Sequence, residues 1–390
     1  MKISSRASGI GESATLRVAR RAAELAAAGR TVLDFGAGEP DFDSPGCAVR
    51  AAVEALENGF TRYTAVVGTP ELRAALATRY RRDYGAPWDA GRFVVGVGAK
   101  AVLFELFLAL LDPGDEVVLP APCWVSFPEQ IRFCGARPVL VPTAPAAGFR
   151  IEPEPLLDAV TDADADRARQ LPLQSVGRSD RRRRPAPAGR GAAERGILVV
   201  SDETYERFVY DGHRHASVAA LAQEFPETVV LAGSFLKTYA MTGWRLGYLA
   251  GPAPVVRAVG NIQSHSTSNP TSFAMAGAVA ALEHAGPDVE AMIAEYAERR
   301  KLVSRGLAAI PGVSCVPPAG AFYAFPDVSG CFRSGRSGSV ELAEYLLDEA
   351  GVAVVPGEAF GADGHVRLSF ACSRARLEEG LARMGEVLSR

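Results

Sequence analysis

Short β-rich runs alternate with helical segments through the middle of this 390-residue sequence. The runs are rich in valine, leucine and isoleucine, and glycine, proline or aspartate residues bound them. They begin at Phe93, Asp115, Arg137, Ile197, Thr228 and Leu246. Strands that alternate with helices pair side by side in one direction, so the pattern predicts an α/β fold with a mostly parallel sheet between two helical layers.

The pattern changes near residue 287, where a long charged helix precedes shorter β-rich runs and a final helix. We therefore predict a large domain over residues 46–286 and a smaller α+β domain over residues 287–390. Residues 1–45 are expected to form an N-terminal arm and part of the smaller domain. A chain of this length is expected to divide in this way, because single cores stop growing near this size.

Charge and cysteine usage favour a small-molecule substrate. The net charge is about −3 with both signs spread along the chain, so no basic surface for nucleic acid is expected. The longest apolar stretch, Ala101–Leu111, is too short for a membrane span and includes Glu105. Scattered cysteines and the lack of an apolar signal core predict a cytoplasmic protein. His213 and His215, beside Asp211-Gly212, are interpreted as a polar turn, and no metal site is predicted.

Two residues have the chemistry that a Schiff-base cofactor requires. Lys237 lies in the run Ser234-Phe-Leu-Lys-Thr-Tyr-Ala-Met-Thr-Gly-Trp-Arg245, and Asp202 follows the apolar run that ends at Val200. A Schiff base needs a positioned, neutral amine, and an electron-accepting pyridine ring needs a carboxylate beside its nitrogen. The carboxyl end of a strand, where Asp202 is expected, is where such sheets bind ligands.

Further motifs follow in a fixed order along nearly the whole chain. They are Ser13-Ala-Thr15, Ala37-Gly-Glu-Pro-Asp-Phe42, Tyr63, Gly98-Ala-Lys100, Trp124, Ser201-Asp-Glu-Thr-Tyr205, the run from Ser234 to Arg245, Gly320-Ala-Phe-Tyr323 and Val366-Arg-Leu-Ser369. With these motifs the chain resembles class I, aspartate-aminotransferase-like enzymes that use pyridoxal 5′-phosphate (PLP). The resemblance implies the fold type I architecture of PLP-dependent transferases, a homodimer with shared active sites, and transamination by ping-pong chemistry.

The resemblance also implies how the cofactor is held. Lys237 would form the Schiff base and then act as the base, Asp202 would pair with the pyridine nitrogen, and Tyr205 would donate to the phenolic oxygen. Trp124 would stack on the ring. The remaining cofactor-binding residues would surround the phosphate; they are Ser234, Arg245, Gly98, Ala99, Lys100 and, from the neighbouring subunit, Tyr63.

Substrate binding is expected from four further assignments. Arg367 would bind the α-carboxylate with its two-pronged guanidinium, and Gly38 would contact the same carboxylate through its backbone. Lys100 and Thr15 would recognise the side chain, next to Trp124. This favours aspartate or another acidic amino acid with 2-oxoglutarate as the partner oxo acid. An aromatic or prephenate aminotransferase, a PLP lyase on the same fold and a catalytically impaired relative remain alternatives.

One stretch departs from the family pattern. Where the family carries Asn-x-Pro-x-Asn-Pro-x-Gly, this chain has Gln170-Leu-Pro-Leu-Gln-Ser-Val-Gly177, so Gln174 replaces the expected cofactor-binding Asn. The following Arg-rich run contains Pro185, Pro187 and Gly189, which are expected to break the helix of the family and leave a basic loop. With suitable codons, reading one nucleotide later restores Asn-Ser-Pro-Cys-Asn-Pro-Ser-Gly. We therefore hypothesise that roughly residues 163–191 are translated out of frame.

Overall fold

The computed structural model describes residues 1–160, 170–174, 187–334 and 336–390, the second of these ranges as backbone only. The helices are α1 (Ser5–Ser8), α2 (Ala14–Ala27), α3 (Gly46–Glu57), α4 (Pro70–Tyr84), α5 (Ala99–Leu110), α6 (Ser126–Phe133), α7 (Pro153–Asp158), α8 (Pro187–Glu194), α9 (Ala253–His265), α10 (Ser272–His284), α11 (Gly286–Ala308), α12 (Ser339–Tyr345) and α13 (Arg374–Leu388). The strands are β1 (Leu33–Asp34), β2 (Phe93–Gly96), β3 (Glu116–Ala121), β4 (Arg137–Pro142), β5 (Gln170–Gln174), β6 (Leu198–Asp202), β7 (Val229–Ser234), β8 (Gly247–Ala250), β9 (Tyr323–Ala324), β10 (Val352–Ala353), β11 (Val355–Pro356) and β12 (Val366–Ser369).

Seven strands form one sheet in the order β2-β8-β7-β6-β5-β3-β4. Strands β3 to β7 pair in parallel, and β8 is antiparallel to both β7 and β2. Because β8 is antiparallel to both of its neighbours, β2 runs in the same direction as β7. The predicted α/β fold with a mostly parallel sheet is therefore confirmed.

Successive side chains in these strands pack into different helical layers. Val95 and Val199 belong to a core that includes Leu72 of α4 and Met275 of α10. Their neighbours Val94 and Val200 belong to a second core with residues of α5 and α9. A strand with a helical layer on each face must be apolar at consecutive positions, which is why these runs are continuously hydrophobic rather than alternating.

A third core lies outside the large sheet. Here β12 pairs antiparallel with β11 and β9, and β1 from the N-terminal part pairs in parallel with β10. Helices α11 and α13 pack against each other beside these strands. Phe35, Tyr296, Phe322 and Phe370 are fully buried in this core, so the N-terminal strand and the C-terminal residues share one hydrophobic interior.

One local expectation from the sequence is wrong, and another is incomplete. Residues 187–194 form helix α8, which begins with Pro187 and buries Ala188 and Gly189. Proline is tolerated in a first helical turn because its missing N–H would have no partner there, and small residues allow close packing. The His213–His215 segment is also not simply a polar turn. The His215 side chain is 10% exposed, and its Nε2 lies 2.8 Å from Oε2 of the buried Glu203.

Several predictions fall on residues that the structure does not describe. Most of the stretch with the proposed frame change, residues 163–169 and 175–186, lies outside the described ranges, as does the side chain of Gln174. Among the described helices, none has the length and apolar character needed to cross a membrane.

Candidate active site

The candidate site lies at one edge of the seven-stranded sheet. Asp202 and Ser234 are the last residues of β6 and β7, and the β2 strand ends at the same edge with Gly96. Strand β8 begins there with Gly247, directly after Leu246 and Arg245. The carboxyl ends of parallel strands therefore bring together segments that are more than a hundred residues apart in the sequence.

A cavity of about 420 Å³ opens at this edge. Most side chains assigned from the sequence line it; they are Thr15, Gly38, Ala99, Lys100, Trp124, Asp202, Tyr205, Ser234, Lys237, Arg245 and Arg367. The structure thus collects a nucleophilic amine, a buried carboxylate and three further cations in one space.

Lys237 is largely buried in a short loop after β7, and its Nζ donates a hydrogen bond to the carbonyl oxygen of Gly38. Burial lowers the pKa of its ammonium to about 8, opposed by Glu39 and reinforced by the cations Arg245 and Arg367. An amine with a pKa near 8 has a neutral fraction at physiological pH that an exposed lysine lacks. Lys237 therefore meets the requirement for Schiff-base chemistry.

Asp202 and Tyr205 approach the cavity from the loop after β6. Asp202 is 7% exposed, and its Oδ1 accepts a hydrogen bond of 3.0 Å from the Thr204 N–H. Burial raises the pKa of its carboxyl, while the Thr204 hydrogen bonds and Lys237 lower it. The Tyr205 hydroxyl lies 2.9 Å from that of Tyr323, and burial raises the pKa of Tyr205 well above its usual range. Tyr205 is therefore protonated, and the buried Asp202 carboxyl is an acceptor at the wall of the cavity.

The N terminus of α5 forms a cradle for an anion. Gly98 precedes the helix with φ +96°, and no side chain caps the first turn. Arg245 faces this turn, since a Cβ added to Gly98 would lie 2.8 Å from its Nη2. A Cβ on Gly247 would lie 2.2 Å from the Ala99 backbone nitrogen, so only glycine fits there. Uncapped N–H groups and a guanidinium are the donors that a phosphate requires, so the cradle fits the phosphate of PLP.

Arg367 lies on β12, the central strand of the three-stranded sheet β11-β12-β9, and lines the cavity. Its guanidinium lies between two rings, 4.4 Å from the centroid of Tyr323 and 5.1 Å from that of Phe360. One Nη donates to the Gly36 carbonyl oxygen at 2.8 Å. Within the described part of the chain, its buried Nε has no hydrogen-bond partner. A buried donor without a partner is costly, and a carboxylate ligand would satisfy it.

Lys100 and Trp124 occupy another side of the cavity. The Lys100 Nζ lies 5.0 Å from the centroid of the Trp124 ring. Burial and the neighbouring Arg245 lower the pKa of Lys100. Lys100 is thus a further cation in the cavity, besides Arg367, that is able to bind a carboxylate. Thr15, on α2, also lines the cavity.

An aromatic wall was missed by the sequence reasoning. Phe149, Phe325 and Phe360 line the cavity, and His365 stacks on Phe325 with 4.9 Å between ring centroids. Tyr323, named among the motifs but given no role, holds Tyr205 and packs under Arg367. The signal available in the sequence was that Phe325 lies close to the motif at Gly320, and that Phe360 and His365 lie close to the motif at Val366.

Tyr63 and Gln174 are not brought into the cavity as it is described. Tyr63 is 90% exposed and is not among the residues that line the cavity. The backbone of Gln174 pairs in register with Asp202, at the same sheet edge. Gly98 lies behind the lining, against Arg245.

The sequence matches the family model described as "Aminotransferase class I and II" over residues 30–176 and 189–384. The interval without a match, residues 177–188, falls within the stretch that departed from the expected pattern.

Individual relatives extend over essentially the whole chain. An aspartate aminotransferase of Streptomyces avermitilis is 43% identical over 100% of this chain and 97% of its own length. A probable aspartate/prephenate aminotransferase of Aquifex aeolicus is 41% identical over 99% of this chain and 98% of its own. The crystal structure of an aspartate aminotransferase of Thermus thermophilus with maleate has a TM-score of 0.91 at 40% identity, covering 99% of this chain and 100% of that one.

Proposed function

This chain belongs to the aminotransferase class I and II family, and we propose that it transfers the amino group of aspartate to a 2-oxo acid such as 2-oxoglutarate. The family uses PLP as its cofactor. The observation that carries the proposal is the grouping in one cavity of Lys237, Asp202 and two cations with different aromatic neighbours, Arg367 beside Tyr323 and Lys100 beside Trp124. A dicarboxylate substrate is the ligand for which two such cations are suited.

The residues around the cavity fit PLP. The α5 N terminus with Arg245 would hold the phosphate, Lys237 would hold the aldehyde carbon, and Asp202 would hold the proton on the ring nitrogen. When bound, PLP supplies a carbonyl group for the substrate amine and a ring that accepts electron density released at the substrate Cα.

The chain's own residues then move protons and orient the substrate. With the cofactor and substrate bound, the Lys237 amine would serve as the base that takes the proton from the substrate Cα. Its depressed pKa keeps a neutral fraction available for this step. Arg367 fixes the α-carboxylate, and Tyr205 donates a hydrogen bond at the ring oxygen. The Arg367 clamp thereby sets which bond at Cα faces Lys237.

Recognition of the side chain is assigned to Lys100 and Thr15. The names of the relatives as aspartate aminotransferases support an acidic side chain. A second candidate is an aromatic or prephenate substrate, because Phe149, Phe325 and Phe360 give part of the cavity an apolar wall. The name of the Aquifex relative supports this alternative.

The absorption spectrum of the purified PLP enzyme tests the proposal. Aspartate is expected to shift the visible band of the bound cofactor to that of its amino form, and 2-oxoglutarate is expected to restore it. An unchanged spectrum would refute transamination, and ammonia release without need of an oxo acid would identify a lyase. Lys100→Met should lower kcat/KM for aspartate more than for phenylalanine. An equal loss for both would remove Lys100 from substrate recognition.

We also propose that the enzyme is a homodimer. Helix α3 and the following loop expose an apolar stripe, namely Val49, Val53, Leu56, Phe60 and Tyr63. The helical members are spaced by four and three residues, so they lie on one face. A second copy that covers this stripe would bring Tyr63 toward the phosphate cradle of its partner.

Mixed dimers test this arrangement. Lys237→Ala and Tyr63→Ala variants, each impaired alone, should regain activity on mixing, because one site per mixed dimer combines an intact Lys237 with an intact Tyr63. No recovery after proven subunit exchange would contradict the shared site. Val53→Asp should convert dimer to monomer in light scattering, with Glu54→Gln, exposed on another face of α3, as the control.

The division of the chain and its unusual stretch also remain proposals. The separate cores support a large domain at 46–286 and a smaller one at 287–390 with part of 1–45. The unmatched residues 177–188 support a frame change within roughly 163–191. Resequencing the gene tests the frame change, since codons that cannot encode Asn-x-Pro-x-Asn-Pro one base along would exclude it. We propose a cytoplasmic location, on the six unpaired cysteines.

A further inference from the structure

The loop after β6 presents some side chains to the cavity and buries others behind it. Asp202 and Tyr205 line the cavity, whereas Glu203 and Glu206 are absent from its lining. Glu203 is 1% exposed and Glu206 is 4% exposed, so both carboxylates are buried behind the site. Buried charges are retained only where partners offset the loss of water, and each of these glutamates has its own partners.

Glu203 is bound through both carboxylate oxygens. Its Oε2 lies 2.8 Å from His215 Nε2, and its Oε1 accepts a hydrogen bond of 2.9 Å from the Val218 N–H. The first distance is that of a charge-assisted hydrogen bond. These contacts tie the loop after β6 to the segment that follows it twelve to fifteen residues later.

Glu206 is held from helix α4. Arg79 forms a buried ion pair with it, and the Tyr84 hydroxyl donates to its Oε2 at 2.9 Å. The Tyr84 ring also packs edge-on against His215, with 6.2 Å between centroids. The two glutamates and their partners therefore form one connected cluster.

Among the most buried members of this cluster, Glu203, Glu206, Arg79 and His215, the charges balance when His215 is protonated. The groups that face His215 are Glu203 and Glu206 of the loop and Arg79 and Tyr84 of α4; Asp83, Arg82 and Arg207 lie at the rim. Two carboxylates and one guanidinium leave one negative charge, which an imidazolium cancels. Burial alone would lower the pKa of His215, but Glu203 raises it above its usual value.

We propose that His215 is a positioning residue: its imidazolium, paired with Glu203, fixes the loop that presents Asp202 and Tyr205 and neutralises the charge next to Asp202. The inference rests on the proposed roles of these two residues. Burial raises the pKa of Asp202, and the charge of Glu203 raises it further. Without the imidazolium the Glu203 charge acts on Asp202 in full and disfavours its ionised form, so less of the Asp202 carboxylate would be available to pair with a protonated ring nitrogen.

The test compares His215→Gln with the double variant Glu203→Gln/His215→Gln. Loss of the imidazolium alone leaves a buried carboxylate without its charged partner, so PLP should bind roughly tenfold more weakly, the order of one lost hydrogen bond to a charged group. The double variant keeps two neutral hydrogen-bonding side chains without the charge, so most of the affinity should return. The PLP dissociation constant is measured by equilibrium dialysis. The control is His284→Gln, because His284 is exposed and lies 3.6 Å from Glu283.

Two outcomes would overturn the proposal. The first is that His215→Gln binds PLP as tightly as the unaltered protein. The second is that the double variant binds PLP no better than the single variant, which would show that His215 acts through packing and not through its charge. The pH dependence gives a second readout. PLP affinity of the unaltered protein should fall faster than that of the double variant as pH rises through the His215 pKa, which NMR titration of the cofactor-free protein locates.

Failure of the proposed function is distinguishable from failure of this inference. If aspartate leaves the spectrum of the unaltered enzyme unchanged while the PLP dissociation constants follow the predicted order, the substrate assignment is wrong and the positioning role stands. If aspartate reacts but the variants bind PLP alike, the positioning role is wrong.

Discussion

Replacement of Lys237 by methionine should stabilise the protein freed of PLP, and the gain should depend on pH. Methionine has nearly the length of lysine without its charge, and it would fill the same largely buried space. In the folded protein the Lys237 pKa is about 8 against an ordinary value of 10.5. Folding therefore disfavours the ammonium, and removal of the charge removes that unfavourable contribution.

The size of the gain follows from the difference of about 2.5 pH units at about 1.36 kcal/mol per unit. Below both pKa values the full contribution of about 3 kcal/mol opposes folding; it fades as pH rises through 8 and is gone above 10.5. At pH 6.5 it is about 3 kcal/mol and at pH 9.5 about 1 kcal/mol. Loss of the hydrogen bond to the Gly38 carbonyl subtracts about 1 kcal/mol at either pH.

Urea unfolding at the two pH values measures this difference. The advantage of Lys237→Met should be about 2 kcal/mol at pH 6.5 and close to zero at pH 9.5. Lys301→Met is the control, because Lys301 is exposed and paired with Glu298 on α11. A gain of equal size at both pH values would refute the reasoning, since packing rather than charge would then explain it. A loss at pH 6.5 would show that Lys237 contributes favourably as an ammonium.

Three further outcomes follow from the geometry. Gly247→Ala should lower the midpoint of thermal unfolding and weaken PLP binding, because its Cβ would collide with backbone of the α5 N terminus, whereas Gly243→Ala, with open space around it, should change neither. Glu206→Gln should reduce the unfolding free energy measured in urea by about 3 kcal/mol, because it leaves the buried Arg79 with only the longer ion pair to Asp83 at 3.6 Å. Arg367→Lys should lower kcat/KM for aspartate about a hundredfold, through loss of paired hydrogen bonds, and leave the PLP dissociation constant unchanged.

The sequence allowed the sheet and its ligand edge to be predicted because both depend on local signals. Runs buried on both faces are continuously apolar, and the chemistry of Asp202 follows from its place after such a run. The antiparallel orientation of β8 had no such signal. Its direction is fixed by pairing with β7 and β2, whose sequences look the same for either orientation.

Contacts between distant segments could not be predicted in the same way. Lys237 donates to Gly38, and Arg367 donates to Gly36, across 199 and 331 residues respectively. Such pairs depend on how β1 and β12 pack in the third core. His215 illustrates the same limit at short range. The sequence around His215, with Asp211 and Gly212, is typical of an exposed turn. The inward orientation of the His215 side chain is explained by its contact with the buried Glu203.

The charges of the cavity and of the cluster behind it explain why this edge of the sheet needs ligands. Four cations, Lys100, Lys237, Arg245 and Arg367, line the cavity in the described chain, against the carboxylate of Asp202. A cofactor phosphate and substrate carboxylates would supply the missing negative charge. Behind the loop the cluster achieves balance from the protein alone, with two glutamates against one guanidinium and one imidazolium. The loop after β6 thus separates a side that is complete without ligands from a side that becomes electrically balanced only on binding them.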